Sequence, residues 1–394
     1  MSKTKTYDFD KLVARENTNC VKWDLRETFF GKADILPLWV ADMDFETPDF
    51  IIEKIKDRME HPVLGYTIRP DSFNEAFIQW AKQKYQWDVD KEWMNFSPGV
   101  VSAVTLAVMA CTLPGDEVIV QPPVYFPFFR CVKGLNRVLK HNPLREKDGR
   151  LCMDLEHLEE IITPKTKMLI LCNPHNPGGS AWNENELKAL GDICEKHQIL
   201  VLSDEIHSDL VFEPHKHIPF AKAVPSGRVK SITCMAASKS FNLAGMSTSL
   251  VIIPDKQTFK LYNEMLQTVH INMGNILGSI ATETAYAEGW NWLHQLMDYL
   301  TANRDYLSNF VKIRLDSVRM LMPEATYLAW LDLSKTGLSE EDLNKLMVEK
   351  AGVALNSGTM FGQGGEGFMR INFACPRSIL TEALEKIEKA LNTV

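Results

Sequence analysis

The chain has 394 residues, 45% of them hydrophobic and 24% charged, which is the composition of an ordinary soluble protein long enough for two domains. The formal net charge of −8 argues against a general nucleic-acid or anionic-membrane surface. The N-terminus lacks the apolar core of a signal peptide, and the longest apolar run, residues 100–113, is too short to span a bilayer.

The eight cysteines form no C-x-x-C pair, and several lie in apolar segments. Such cysteines are typical of small buried side chains in a reducing cytoplasm, which is the predicted location. The first forty-odd residues carry little regular pattern, and we predict that residues 1–45 pack across the domains. Residues 100–113 are predicted to form a buried helix, with Ser97 as its N-cap and Pro98 at its first position. A helix start of this kind either binds an anion or is only a well-capped helix.

Short apolar runs alternate with helical segments through the middle of the chain. The runs are residues 117–121, 167–172, 199–203, 229–234 and 250–253, and one of the helices covers about 183–197. Continuous apolar strands alternating with helices are typical of a mostly parallel sheet that is covered on both faces. We therefore predict an α/β fold over residues 46–285, with ligands bound at the carboxyl ends of the strands.

The pattern changes after residue 285. A long helical stretch, residues 290–318, leads to a strand-like run at 326–332 and a helix at about 339–352. A glycine-rich segment (358–367), a strand (368–373) and a last helix (377–391) follow. We predict a smaller α+β domain over residues 286–394. The glycine-rich segment has no Gly-Lys-Ser/Thr and is not a P-loop.

Polar residues follow three of the predicted strands. Tyr125 follows the 117–121 run, where its ring either packs in the core or faces a ligand. Asn176 lies between two Asn-Pro steps, in a plain loop or with its amide on a ligand oxygen. Asp204 ends the 199–203 run, and a buried aspartate there needs a cation or a proton donor unless it caps a helix.

Lys239 and Arg370 are the two cations expected in buried surroundings. Lys239 follows the 229–234 strand, and burial would lower its pKa and make it a nucleophile for an aldehyde; a surface or ion-pair role is the alternative. Arg370 lies inside a short apolar strand, where its planar guanidinium suits a carboxylate ligand or a structural ion pair. The histidines at 207, 215 and 217 match no strong metal pattern, and we expect solvated loop histidines and no metal.

Together these residues fit one cofactor, pyridoxal 5′-phosphate (PLP). The lysine would capture its aldehyde, Asp204 would pair with its pyridine nitrogen, and Asn176 would bind its ring hydroxyl. Tyr125 would stack on the ring, the helix start would bind the phosphate, and Arg370 would bind an amino-acid carboxylate.

The chain resembles fold-type I PLP-dependent enzymes of the aminotransferase class I/II superfamily over nearly its whole length. Within them it is most similar to the MalY/PatB-like cystathionine β-lyase (C–S lyase) branch, to which cystalysin is similar. The segments that carry the resemblance are 39–45, 64–67, 123–129, 173–179, 203–210 and 238–242. The resemblance implies a mostly parallel seven-stranded sheet with helices on both faces.

The resemblance also implies roles for individual residues. It assigns catalysis to Lys239 and Tyr125. The residues that it assigns to the cofactor are Val100, Val101, Tyr125, Asn176, Asp204, His207, Ser238, Lys239 and Tyr66. The residues that it assigns to the substrate are Arg370, Trp39 and Tyr66, with Tyr66 supplied by the other subunit of a homodimer.

Two departures from the wider superfamily favour a lyase. Ser247 stands eight residues after the lysine, where many aminotransferases have an arginine, and His207 replaces a common tyrosine. The implied reaction is α,β-elimination of L-cystathionine, L-cysteine or related S-substituted cysteines to pyruvate, ammonia and a thiol or sulfide. An aminotransferase is the first alternative, and a regulatory protein with a second role towards a transcription regulator is another. The preferred sulfur amino acid stays open.

Overall fold

A central sheet of seven strands organises the computed structural model, which describes residues 5–393. Its strands, in spatial order, are Met94–Ser97, Ser249–Ile252, Ser231–Met235, Leu200–Asp204, Thr166–Cys172, Glu117–Val120 and Val138–His141. Only Ser249–Ile252 runs antiparallel to its neighbours. The predicted α/β fold with a mostly parallel seven-stranded sheet is therefore confirmed.

The central strands were predicted because nearly all of their residues are buried. Every residue of Ser231–Met235 is buried, and in Thr166–Cys172 only Lys167 is exposed. The sequence did not indicate the strands Met94–Ser97 and Val138–His141. Val138–His141 is an edge strand with no buried residue, so it lacks the apolar run that identified the others.

Helices cover both faces of the sheet. On one face Val120 packs in a cluster with Val104 and Tyr262, and on the other Ile119 packs with Leu187 and Phe220. The helices of this part are Asp49–Met59, Asp71–Tyr85, Val100–Cys111, Pro127–Lys133, Leu155–Ile161, Glu184–His197, Phe220–Ala223, Lys256–Thr268 and Ile276–Glu288. Two short helices, Val21–Asp24 and Arg26–Phe30, precede them.

Local sequence explains where two of these helices begin. Asn183 caps Glu184–His197: its side chain accepts from the N–H groups of Asn185 and Glu186, and Glu186 accepts from the N–H of Asn183. The cap predicted for the 100–113 helix is wrong. Ser97 ends a strand in register with Ser249, and the helix begins at Val100 after Gly99, whose φ of +99° favours glycine.

A second, antiparallel sheet lies in the C-terminal part of the chain. Its strands, in order, are Arg319–Leu321, Leu328–Asp332, Phe368–Asn372 and Asn356–Ser357. The helices Trp290–Arg314, Glu340–Lys345 and Arg377–Leu391 accompany it. The helix predicted at 339–352 changes at Leu346–Ala351 into a π-helix.

Short strand pairs complete the fold. Leu36–Pro37 pairs in parallel with Val353–Ala354, so the N-terminal segment joins the C-terminal part, and Arg145–Lys147 pairs with Arg150–Cys152. The domain limits at residues 45 and 285 stay predictions. Across residues 5–393, none of the helices is both long enough and apolar enough to cross a membrane.

Candidate active site

Polar side chains from the strand ends of the central sheet and from the second sheet line one cavity of about 610 Å³. All the predicted site residues except Tyr66 face it: Trp39, Val100, Val101, Tyr125, Asn176, Asp204, His207, Ser238, Lys239 and Arg370. Asp204 ends one central strand, and Asn176 and Lys239 follow its two neighbours, so all three lie where the carboxyl ends of the strands meet. The topology therefore brings together residues that are far apart in sequence.

Lys239 lies in the turn after the strand Ser231–Met235 and is partly buried where it faces the cavity. Its Nζ atom donates to the carbonyl oxygen of Ala41 at 2.5 Å. Burial, with a smaller contribution from the charge of Arg370, lowers the pKa of Lys239 from 10.5 to about 8, while Asp42 and Asp204 oppose the shift. About a tenth of this amine is therefore neutral at pH 7 and able to attack an aldehyde.

Asp204 is buried at the end of the strand Leu200–Asp204. Its Oδ1 accepts from the N–H of Ile206 at 3.1 Å. Burial raises the pKa of Asp204 to about 7, although the Ile206 bond and Lys239 act in the other direction. A protonated ring nitrogen is the kind of partner that would restore the ionised form.

Arg370 is 3% exposed and lies in the strand Phe368–Asn372. Its Nη1 donates to Asn176 Oδ1 at 2.9 Å, and its Nη2 donates to the Trp39 carbonyl at 2.8 Å and to Asn356 Oδ1 at 2.6 Å. Among residues 5–393 it has no acidic partner within 4 Å, and its buried Nε lacks a hydrogen bond. The structural ion pair considered above is therefore absent from this part of the chain, and the guanidinium can donate to an external carboxylate.

Tyr125 and His207 are the ring-bearing residues of the cavity. Burial raises the pKa of Tyr125 to about 12, with Asp204 adding to the effect, so the phenol stays protonated at neutral pH. Burial lowers the pKa of His207 well below 6.5, and the positive charges of Lys239 and Arg370 add to the shift. His207 is therefore neutral there.

Val100 and Val101 begin the helix Val100–Cys111, and Ser238 lines the same cavity. The N–H groups of a first helical turn have no partners within the helix and carry the positive end of its dipole. This corner of the cavity can therefore bind a phosphate.

Tyr66 is the predicted site residue that lies elsewhere. Its side chain is 97% exposed and does not line the cavity of its own chain. Leu64 and Ile68, on either side of it, are also largely exposed. A role for Tyr66 in a site therefore requires a second subunit.

Two of the three loop histidines are buried, so the expectation that all three are solvated is wrong. His207 faces the cavity, and His217 Nε2 lies 2.7 Å from Glu205 Oε2. Glu205 also accepts from Ser203 Oγ and from the N–H of Phe220, which makes it a fully bonded structural carboxylate. Within the described part of the chain, no group of three or more histidine, cysteine or acidic side chains is arranged to hold a metal.

Sequence reasoning missed two groups in the site. Asn356 contacts Arg370 because Asn356–Ser357 pairs with Phe368–Asn372, and the Ala41 carbonyl contacts Lys239 from an irregular segment. Strand register and the direction of a loop carbonyl are tertiary properties. A polar residue after the apolar run 353–355 was the only available hint of Asn356.

The residues of the cavity fit PLP by their own properties. Lys239 has the lowered pKa of an aldehyde-binding amine, and Asp204 is a buried acid that needs a proton donor. The buried His207 Nδ1 and Arg370 Nε lack hydrogen-bond partners among residues 5–393. These polar atoms can therefore serve a bound cofactor and substrate.

This architecture is that of PLP-dependent enzymes of fold type I, and the chain belongs to the aminotransferase class I and II family, which it matches over residues 33–387. It is 44% identical over 386 residues to cystathionine β-lyase PatB of Bacillus subtilis, covering 98% of this chain and all of PatB.

Two solved structures that contain PLP are similar to this chain. Cystalysin of Treponema denticola, which contains a pyridoxal 5′-phosphate cofactor, matches with a TM-score of 0.95 and 35% identity over 99% of this chain and all of cystalysin. The PLP-bound C–S lyase of Staphylococcus hominis matches with a TM-score of 0.92 and 34% identity over 98% of both chains.

Proposed function

We propose that this protein is a PLP-dependent carbon–sulfur β-lyase. It eliminates the sulfur substituent of L-cystathionine, L-cysteine or related S-substituted cysteines and yields pyruvate, ammonia and a thiol or sulfide. The observation that carries this proposal is a buried arginine, without an acidic partner in residues 5–393, in the same cavity as a lysine of lowered pKa. The similarity to PatB and to two C–S-lyase-type structures supports it.

The proposed steps divide the work among four side chains. Arg370 binds the substrate carboxylate through its planar fork, and Asp204 keeps the ring nitrogen of the cofactor protonated. PLP, when bound, supplies the electron sink that makes the Cα proton acidic. The Lys239 amine takes that proton. Lys239 or the Tyr125 phenol then protonates the sulfur as it leaves Cβ.

The remaining cavity residues hold the cofactor. Val100, Val101 and Ser238 are proposed to bind the phosphate, because two of them begin a helix and the third adds a hydroxyl. Asn176 and His207 are proposed to contact the ring. Asn176 accepts from Arg370 through Oδ1, which leaves its NH₂ group for the ring oxygen.

Space beside the site supports substrates with a large group on sulfur. A second cavity of about 740 Å³ shares Phe29, Trp39, Asn356 and Met360 with the first. Its walls combine aromatic and aliphatic side chains with acidic ones, including Phe30, Val348 and Glu349. A thioether that is longer than cysteine has room to extend from the first cavity into the second.

We further propose that the working form is a cytoplasmic homodimer with shared sites. The exposed segment 63–68 carries four largely exposed hydrophobic side chains, namely Val63, Leu64, Tyr66 and Ile68. A second subunit would bury them and would bring Tyr66 to the phosphate and substrate of its neighbour. Sedimentation at assay concentration is expected to show a dimer, and a fully active monomer would contradict the shared site.

A combined spectroscopic and product assay tests the proposed reaction. The purified protein should show a visible cofactor band, and L-cystathionine should yield pyruvate and free thiol in equal amounts. Loss of the visible band without pyruvate would instead indicate an aminotransferase, which the lining residue Ser247 in place of an arginine disfavours. No visible band after PLP is added would contradict the assignment of Lys239.

A further inference from the structure

Residues 39–44, here called the strap, form no helix or strand, and the first three of them line the cavity. Backbone carbonyls of the strap contact both cations of the site. The Trp39 carbonyl accepts from Arg370 Nη2 at 2.8 Å, and the Ala41 carbonyl accepts from Lys239 Nζ at 2.5 Å. Tyr327 also donates to the Ala41 carbonyl, at 2.9 Å. The position of the strap therefore sets the surroundings of both cations.

Four charged side chains, here called the charge cluster, anchor the strap: Arg15, Lys22, Asp42 and Asp44. Asp44 Oδ1 accepts from Arg15 Nη1 and Asp44 Oδ2 accepts from Lys22 Nζ, both at 2.6 Å. Asp42 Oδ2 accepts from Arg15 Nη2 at 2.7 Å, and Lys22 Nζ lies 3.6 Å from Asp42 Oδ1. Two cations and two anions balance, and Lys22 is fully buried.

Asp42 differs from Asp44 in its relation to the cavity. It directly follows Ala41, whose carbonyl holds Lys239, and its negative charge favours the protonated form of Lys239. Arg15 and Lys22 keep the pKa of Asp42 below 3.8 despite burial, so its carboxylate is ionised at neutral pH. Asp42 is therefore a permanent anion next to the lysine.

The other groups around Lys239 do not replace this anion when the cofactor is bound. Arg370 disfavours the charged amine, and the neutral His207, Tyr125 and Tyr327 carry no charge near pH 7. Asp204 also favours the charged amine, but in the proposed function its charge faces the protonated ring nitrogen. Asp42 is then the anion that remains for Lys239.

We propose that Asp42 is a positioning residue for Lys239, holding the Ala41 carbonyl against Nζ and retaining a proton on that nitrogen during turnover. This inference rests on the proposed function. There, the Cα–H bond breaks as an N–H bond forms on Lys239. Of the two proton donors named there, we take Lys239: its proton leaves when the Cβ–S bond breaks and an S–H bond forms. An amine that must keep the proton between these events benefits from a fixed anion beside it.

The test is a pH titration of the visible absorption band of the cofactor-loaded enzyme. Asp42→Asn keeps the shape of the side chain and removes its charge, so the midpoint should fall by about one pH unit. Asp42→Glu retains the charge, so its midpoint should lie close to that of the wild type. Asp298→Asn makes the same change of net charge on an exposed helix position and should leave the midpoint unchanged.

A variant expected to shift the midpoint in the opposite direction keeps the test decisive if Asp42→Asn folds poorly. Arg15→Gln removes a cation from Asp42 but leaves its carboxylate, so the midpoint should rise. Midpoints equal to that of the wild type in every folded variant at positions 42 and 15 would overturn the inference. A wild-type protein that shows no visible band with PLP would instead contradict the proposed function itself.

Discussion

The charge cluster and the catalytic cavity both contain buried charged side chains, but these side chains have more hydrogen-bond and ionic partners in the cluster than in the cavity. In the charge cluster, Asp44 has two cations and the Trp23 indole N–H as partners. In the cavity, Asp204 has one backbone N–H, and Arg370 has no acidic partner among residues 5–393. Fully bonded charges stabilise a fold, whereas incompletely bonded ones retain the capacity to bind a ligand. Bonding, more than burial, distinguishes the structural charges from those of the site.

The largest effect is expected from removing the lysine of the cavity. Lys239→Ala should lower β-elimination by at least about 10³-fold, because it removes both the cofactor-binding amine and the proposed base. The circular dichroism spectrum should stay that of the wild type. Steady-state pyruvate release measures the loss, and turnover at the wild-type rate would show that the cavity is not the active site.

Removing a cation from the charge cluster should lower the free energy of unfolding. Lys22→Met leaves Asp44 buried with one cation fewer, and breaking such a pair costs about 3–5 kcal/mol. Urea unfolding of the cofactor-loaded protein measures the change. Lys188→Met, in an exposed pair with Glu184, is the matched control and should change the free energy of unfolding by less than about 1 kcal/mol. Equal effects in the two variants would remove the distinction between buried and exposed pairs.

In the cavity, removing the charge of Lys239 is expected to increase the free energy of unfolding, and by less than the loss expected in the charge cluster. The pKa of Lys239 is about 8 in the folded protein and 10.5 in the unfolded chain, so the unfolded chain binds more protons between these values. The resulting destabilisation is complete below pH 8 and disappears as the pH rises towards 10.5. Lys239→Met should therefore stabilise the cofactor-free protein by roughly 3 kcal/mol at pH 7.

Thermal or urea unfolding of both cofactor-free proteins across pH 7–10 measures this difference. The gain should shrink steadily above pH 8, because the wild-type lysine loses its proton in the folded protein while the unfolded chain still binds one up to about pH 10.5. A constant gain across the range would assign it to packing of the methionine side chain instead of to the buried charge.

Much of the site could be predicted because its chemistry follows strands with strong apolar patterns. Asn176, Asp204 and Lys239 each come after a strand that the sequence indicated, and parallel strands end at a common edge. Arg370 was visible as a cation inside an apolar strand. Each of these signals is local in the sequence, and the parallel sheet brings the residues that carry them to one edge.

The rest depended on contacts between distant segments. The start of the helix Val100–Cys111 was misplaced because Ser97 is held in the sheet by Ser249. His217 looked like a surface residue because its partner, Glu205, lies 12 positions earlier, directly after the strand Leu200–Asp204. The charge cluster was not predicted at all, since its cations and anions come from separate irregular segments without a motif.

The hydrogen bond from Arg370 to the Trp39 carbonyl joins residues 331 positions apart in the chain. Contacts of such sequence separation form slowly, because a long loop must close before they are made. Lys239 and Asp204 belong to the middle of the chain, whereas the contact between the strap and Arg370 requires the strand Phe368–Asn372. We therefore expect the substrate-binding side of the site to form after the part of the chain that carries the cofactor-binding lysine.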